Sequence, residues 1–95
     1  MIVAAFLKWV ETAKSQERAR AANALARAYL KSEMAPEERH AAQMAMTYLL
    51  DDPAPQVRLA LADVLAQEAR APRALMVSLA EDQPEIASSV ILHSP

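Results

Sequence analysis

The sequence predicts an all-α fold of about six helices in antiparallel pairs, stacked sideways as an α–α superhelix. Three features of composition support this: among 95 residues there are 22 alanines, six prolines and no glycine. Alanine is the best helix former, and a chain without glycine has no ready residue for left-handed turns, so proline must mark where helices begin. No stretch alternates apolar and polar residues long enough to indicate a strand. The whole chain, 1–95, is therefore expected to form one helical-repeat domain.

Three helices are expected in residues 1–49, which form either an N-terminal cap or degenerate repeats. The first, 2–13, is apolar on nearly all sides, and the second covers 16–31. The third opens at Pro36, with two glutamates in its first turn, where the positive end of the helix dipole favours them. The expected apolar faces are Ala22, Leu25, Ala26, Tyr29 and Leu30 on the second helix, and Ala41, Met44, Ala45, Tyr48 and Leu49 on the third.

Three more helices are expected in residues 50–95, at about 55–69, 72–80 and 84–93. Each opens at a proline, because proline suits the first helical position and disfavours helix in the residue before it. Apolar residues recur at helical spacing in all three segments. The expected core positions are Val57, Leu61, Val64 and Leu65, then Leu75, Met76 and Leu79, then Ile86, Ala87, Val90 and Ile91.

Part of this second half recurs after 29 residues. The shift matches Pro55 with Pro84, and it matches apolar residues with one another two and six places further on. A short turn, a proline that opens a helix and an apolar residue two places later make one supersecondary unit, used twice. A period near thirty is typical of a helical solenoid.

Residues 50–95 resemble HEAT-like and leucine-rich-variant repeats. Three motifs carry the resemblance: D-x-P-x-P-x-V-R-L-A-L-A at 51–62, A-P-R-A-L at 71–75 and L-A-E-D-Q-P-E-I-A at 79–87. The sequence is also similar to a bacterial family described only as a domain of unknown function, whose members carry such repeats in longer chains. The resemblance implies a solenoid architecture and a bacterial origin.

The resemblance also implies roles for two charged residues. In HEAT-like repeats a turn aspartate and a helix arginine often bridge neighbouring units, and Asp52 and Arg58 match those roles. The second unit has Ala87 where Arg58 falls in the first. The ladder of such pairs is therefore expected to end after one rung.

Several functions are excluded or disfavoured by composition. Without glycine there is no P-loop, no dinucleotide-binding fingerprint and no nucleophile elbow, and without cysteine there is no disulfide or thiolate zinc site. Glu37 and His40 have the spacing of a di-iron motif, but such a site needs a second motif, and His93, the other histidine, has no acidic residue three positions before it. We therefore predict no catalytic residues, no metal and no cofactor.

Charge is distributed unevenly along the chain. Residues 8–31 hold six basic residues against two acidic ones, whereas residues 33–95 hold four against ten. The favoured prediction is a non-catalytic protein–protein interaction module, and the alternative is a nucleic-acid-binding helical repeat that uses the basic face of the second helix. Candidate partner-binding residues are Trp9, which is also expected in the core, Arg27, Lys31 and Arg58. The alternative face consists of Lys14, Arg18, Arg20, Arg27 and Lys31.

The remaining expectations concern location and partners. The N-terminal apolar run is too short to span a bilayer and lacks the basic start of a signal peptide, so a cytoplasmic protein without a membrane partner is expected. A repeat cannot bury its own apolar face, and the first and last helices are apolar on more sides than one neighbour covers. They indicate either that the chain is part of a longer protein or that chains associate through these helices, and for the isolated chain a homodimer is expected. The other expected partner is an unidentified protein, with nucleic acid a weaker alternative.

Overall fold

A computed structural model describes residues 2–93, with side chains from residue 4 onward, and it confirms the all-α prediction. Met1, Ser94 and Pro95, which the expected domain includes, lie outside the described part. No strand occurs in the described residues. The six helices are α1 (Ile2–Thr12), α2 (Ser15–Lys31), α3 (Pro36–Leu49), α4 (Pro55–Leu65), α5 (Arg73–Ala80) and α6 (Pro84–His93).

Proline marks three of the helix starts, as predicted. Pro36, Pro55 and Pro84 are each the first residue of a helix, and Pro72 lies one residue before α5. α4 ends at Leu65 rather than 69, because the chain then turns through hydrogen bonds between residues three apart. From residue 2 to residue 93 no backbone φ is positive, so a chain without glycine makes its turns without left-handed residues.

The helices form two layers. α2 packs on α4 and α4 packs on α6, while α1 contacts α3, α3 contacts α2 and α4, and α5 contacts α4 and α6. A hydrogen bond of 2.7 Å from Gln56 to Ser15 holds the starts of α2 and α4 together. α2 and α4 therefore run side by side in the same direction, and α3 runs back between them. The shortest dimension, 17 Å, is enough for two helix layers.

The core lies between the even-numbered helices and the odd-numbered helices α3 and α5. Alanines at positions 22, 26, 62 and 66 are fully buried, and such small side chains let α2 and α4 approach closely. Large side chains fill the space between the layers, and each contributes about 1.5–3 kcal/mol by leaving water. The fully buried large residues are Met46, Leu49, Val57, Leu61, Leu65, Leu75, Leu79 and Ile86.

Four residues expected in the core are exposed. Met44 and Tyr48 are 53% and 47% exposed, because α3 turns a different face inward, consisting of Ala42, Ala45, Met46 and Leu49. Both faces have helical spacing, and only the packing of α3 against its neighbours selects one. Trp9 is 41% exposed and Ile91 is 68% exposed, so the prediction of a core position is wrong for them also.

Candidate functional site: a groove between α2 and α4

An arginine–aspartate pair joins α2 to the turn before α4. Arg18 donates from Nε to Oδ2 of Asp52 at 2.7 Å and from Nη2 to Oδ1 at 3.0 Å, so the contact is bidentate. Its Nη1 donates to the carbonyl of Ala13 at 2.6 Å. Only 3% of the Asp52 side chain is exposed, and the planar guanidinium supplies the fork geometry that a buried carboxylate needs.

A second pair repeats this arrangement between α4 and the turn before α6. Arg58 donates from Nε to Oδ2 of Asp82 at 2.8 Å and from Nη2 to Oδ1 at 3.3 Å. Its Nη1 donates to the backbone carbonyl of Asp52, which links the two rungs. The bridging roles that the resemblance implied for Asp52 and Arg58 are thus present. The expected limit of one rung is wrong, because α2 supplies a further arginine, Arg18.

Both aspartates stay ionised because of these contacts. Burial alone would raise the pKa of Asp52, but the hydrogen bonds from Arg18 and from the Ala54 amide outweigh it and hold the pKa below its ordinary value. Burial also opposes ionisation of Asp82, and the hydrogen bonds from Arg58 and the Gln83 amide again lower the pKa. The ladder is therefore charged at neutral pH.

The two arginines of the ladder lie 40 residues apart, and so do other equivalent residues of α2 and α4. The segments S-Q-E-R-A-R-A-A-N-A-L-A at 15–26 and P-Q-V-R-L-A-L-A-D-V-L-A at 55–66 match at glutamine, arginine, leucine and two alanines. The 29-residue shift used in the sequence analysis relates α4 to α6 and cannot reveal this correspondence. A comparison at a shift of 40 is the signal that identifies Arg18 as a ladder residue.

The equivalent faces of α2 and α4 line an open groove of about 550 Å³. Its floor is partly apolar and its rim is polar. Every lining residue on α2 has a counterpart 40 positions later on α4, so both walls are built from one pattern. The lining residues are Gln16, Ala19, Arg20 and Asn23 on α2 and Gln56, Leu59, Ala60 and Asp63 on α4.

The two walls of the groove differ in charge. The α2 wall carries Arg20, and the α4 wall carries Asp63, which accepts a hydrogen bond of 2.5 Å from Ser89 of α6. Arg27 and Lys31 are exposed on α2 and lie seven and eleven residues after Arg20. At 100° per residue, these three cations share one side of the helix and form the α2 basic row.

The four candidate partner-binding residues do not form one site. Arg27 and Lys31 are exposed together on α2, on the side of the helix that carries Arg20, a lining residue of the groove. Arg58 is 14% exposed and is held in the second rung. Trp9 lies on α1 with its ring centroid 6.0 Å from that of Phe6, and it does not line the groove.

The alternative basic face does not form as one surface either. Lys14 is exposed, but the Arg18 guanidinium is bound to Asp52 and 15% exposed. Arg18 and Arg20 are separated by about 200° around the helix. Only Arg20, Arg27 and Lys31, which are the α2 basic row, remain available on a common side. The spacing of four residues between Arg27 and Lys31 is part of the row, whereas Arg18, four residues after Lys14, is bound to Asp52.

Within residues 2–93 no helix is long and apolar enough to cross a membrane, and no three carboxylate or imidazole side chains converge as metal ligands.

In comparisons with known proteins, no family model, no curated protein and no solved structure matches the chain.

Proposed function

We propose that this chain is a non-catalytic protein–protein interaction module built from HEAT-like repeats, and that the groove between α2 and α4 receives the partner. The observation that carries the proposal is the construction of the groove. Equivalent residues of two helices line it, and a buried Arg18–Asp52 pair holds the starts of those helices side by side.

The repeat assignment has support in three features. The arginine–aspartate ladder has the role that HEAT-like repeats give to such residues, and here it has two rungs. The 40-residue correspondence of α2 and α4 has a length usual for HEAT and armadillo units. Each even helix packs on the next, which is how a solenoid buries a face that one repeat leaves open. On this proposal the six helices are part of an α–α superhelix.

The positions of the titratable groups support a non-catalytic role. Shifted pKa values in catalytic sites belong to side chains that face a cleft. Among the described residues, the carboxylates with a shifted pKa are Asp52 and Asp82, and each is bound to an arginine of the ladder. Neither lines the groove between α2 and α4. Asp52 does border a separate cavity of about 330 Å³, but Arg18 and the Ala54 amide hold its carboxylate there, so the contacts of the ladder account for the shift.

The groove has features that suit a peptide segment. Leu59, Ala19 and Ala60 supply apolar lining. Gln16 and Asn23 add amide groups, as does Gln56, whose Nε2 also donates to Ser15. Amides can donate and accept, so they can pair with a peptide backbone, while the floor takes an apolar side chain. We therefore expect the partner to insert a short segment rather than to dock a flat surface.

Site-specific photo-crosslinking tests the proposal. A photoreactive amino acid at Gln56 is expected to yield discrete protein adducts in cells, and the same group at the exposed Ser78 of α5 serves as the matched control. Ala60→Trp should fill the groove and remove the Gln56 adducts. Adducts equally abundant at Ser78, or unaffected by Ala60→Trp in a folded variant, would contradict the proposal.

A nucleic-acid-binding role is the second candidate, and the α2 basic row is the observation that favours it. Phosphate binding weakens steeply with salt, so duplex DNA binding that disappears between low and physiological salt would support this candidate. The absence of binding at low salt would count against it.

Self-association through α6 is a further part of the proposal. Ile91 and Leu92 of α6 are exposed, and together they offer an apolar surface to a second copy. Light scattering at tens of micromolar should then report a dimer that Ile91→Asp converts to a monomer. A monomeric parent chain at that concentration would contradict the dimer.

A cytoplasmic location and a bacterial origin stay predictions.

A further inference from the structure

We infer that the α2 basic row (Arg20, Arg27 and Lys31) binds an acidic segment of a partner protein, placed so that this segment enters or leaves the groove at Arg20. The inference rests on the proposed function, because it names the chemistry of the partner for the same surface. The argument depends on the spacing of the row, the pairing of its charges and the character of the opposite wall.

The spacing of the row defines the partner segment. Lys31 lies eleven residues after Arg20, so the row is about 16 Å long at 1.5 Å per residue. Carboxylates at i, i+7 and i+11 of a partner helix would face the same three positions, and an extended strand would span the row in about five residues. One short acidic segment is thus enough to pair with the entire row.

The charges of the row are not neutralised within the described part of the chain. The two ion pairs between residues 2 and 93 use Arg18 and Arg58, and neither includes a residue of the row. Arg27 and Lys31 are like charges four residues apart, an arrangement that destabilises a helix slightly. Arg70 donates to the carbonyl of Leu30 at 2.6 Å, so a fourth cationic group is bound at the C-terminal end of α2, where the row ends. This local excess of positive charge complements an anionic segment.

The opposite wall favours an acidic peptide over a nucleic acid. Asp63 stands on the α4 side of the groove and repels a phosphate backbone that would follow the groove. The exposed aromatic residues Trp9 and Tyr48 belong to α1 and α3 and do not line the groove, so no stacking platform accompanies the cations. A peptide can place its carboxylates on the row and uncharged residues beside Asp63.

Fluorescence anisotropy with defined probes tests the inference. The first probe is an alanine-based helical peptide with glutamates at i, i+7 and i+11; the second has glutamines there; the third is duplex DNA. Arg20→Glu/Arg27→Glu/Lys31→Glu is the test variant, and Lys8→Glu/Lys14→Glu/Arg73→Glu is the control with the same change in charge at exposed positions off the row. Circular dichroism confirms that both variants are helical, and the neutral Arg27→Gln variant replaces the test variant if that one does not fold.

The glutamate peptide is expected to bind the parent chain more tightly than the glutamine peptide. The test variant should weaken its binding about tenfold and the control variant about twofold or less at physiological salt, where distant charges are screened. Equal binding of the two peptides, equal weakening by the two variants, or tighter binding of DNA to the row would overturn the inference.

The outcomes separate this inference from the proposed function. If crosslinking from Gln56 persists unchanged in the test variant and the peptides do not bind, the groove is an interaction site and the acidic-segment inference is wrong. If the glutamate peptide binds the row while Gln56 gives no protein adduct, the row binds acidic segments, but the placement of that segment at the groove and the proposed function of the groove are wrong.

Discussion

The two rungs of the ladder use the same side chains in similar geometry, but water reaches them to different extents. Arg18 and Arg58 are 15% and 14% exposed, whereas their partners Asp52 and Asp82 are 3% and 17% exposed. The second contact of the fork is 3.0 Å in the first rung and 3.3 Å in the second. The first rung is therefore the drier and the tighter of the two.

The turns that hold the aspartates account for this difference. Asp52 lies in a five-residue link, 50–54, and its Oδ1 also accepts from the amide of Ala54, two residues on. Asp82 lies in a three-residue link, 81–83, and accepts from the adjacent amide of Gln83. The longer link lets Asp52 reach below the surface. Because attraction between charges is stronger where water is excluded, the pairing of α2 with α4, which forms the groove, should be the more firmly held.

The largest expected effect comes from removing the two aspartates in turn. Asp52→Ala should lower the free energy of unfolding by about 3 kcal/mol, because only 3% of the Asp52 side chain is exposed and little water can replace its carboxylate beside Arg18. Asp82→Ala should lower it by about 1 kcal/mol, since water can replace the lost carboxylate. Urea unfolding at neutral pH measures both.

Asp51→Ala is the matched control, because Asp51 is the exposed neighbour of Asp52 and makes no ion pair in the described structure. It should change the free energy of unfolding by less than about 0.5 kcal/mol. Equal losses for the two ladder aspartates would show that burial does not distinguish the rungs.

A second test uses pH. The pKa values of Asp52 and Asp82 are lowered in the folded chain, so each adds stability above its unfolded pKa of about 3.9. That contribution is lost as the pH falls through the folded pKa. The difference in unfolding free energy between the parent chain and Asp52→Asn should therefore be constant from pH 7 to about 5 and narrow below about pH 4.

For Asp82→Asn, the difference in unfolding free energy from the parent chain should be smaller at neutral pH. It should also narrow over the same acid range. Urea unfolding midpoints at several pH values supply the data. A difference between the parent chain and Asp52→Asn that stays unchanged down to acid pH would mean that the carboxylate charge does not stabilise this rung.

Much of the fold follows from local sequence. Pro36, Pro55 and Pro84 predict helix starts, since ring geometry suits only the first helical turn. The faces of α2 and α4 follow from apolar spacing, because each helix has one dominant apolar stripe. α3 has two apolar stripes, and both have helical spacing. Packing against helices that are distant in sequence determines which stripe is buried. Its exposed Met44 and Tyr48 could not be predicted from that helix alone.

The arginine–aspartate ladder shows a different limit on what can be predicted from the sequence. The resemblance of residues 50–95 to HEAT-like repeats predicts bridging roles for Asp52 and Arg58, and the structure shows both residues in bridges. Arg18 was grouped with the basic residues of α2, because its partner lies 34 residues away in a turn. A local pattern cannot reveal such a pairing. The groove is hidden for the same reason, since its walls become equivalent only when α2 and α4 are compared at a shift of 40.

The smallest expected effect is that of salt on the two rungs. The Debye length falls to about 3 Å at 1 M ionic strength, but ions screen only those charges that solvent surrounds. Asp82 is the more exposed partner, so high salt should reduce the cost of Asp82→Ala by a few tenths of a kcal/mol and leave the cost of Asp52→Ala nearly unchanged. Sodium chloride also changes hydrophobic stability, so each variant is compared with the parent chain at the same salt concentration. A cost of Asp52→Ala that falls with salt as much as that of Asp82→Ala would mean that solvent reaches both rungs equally.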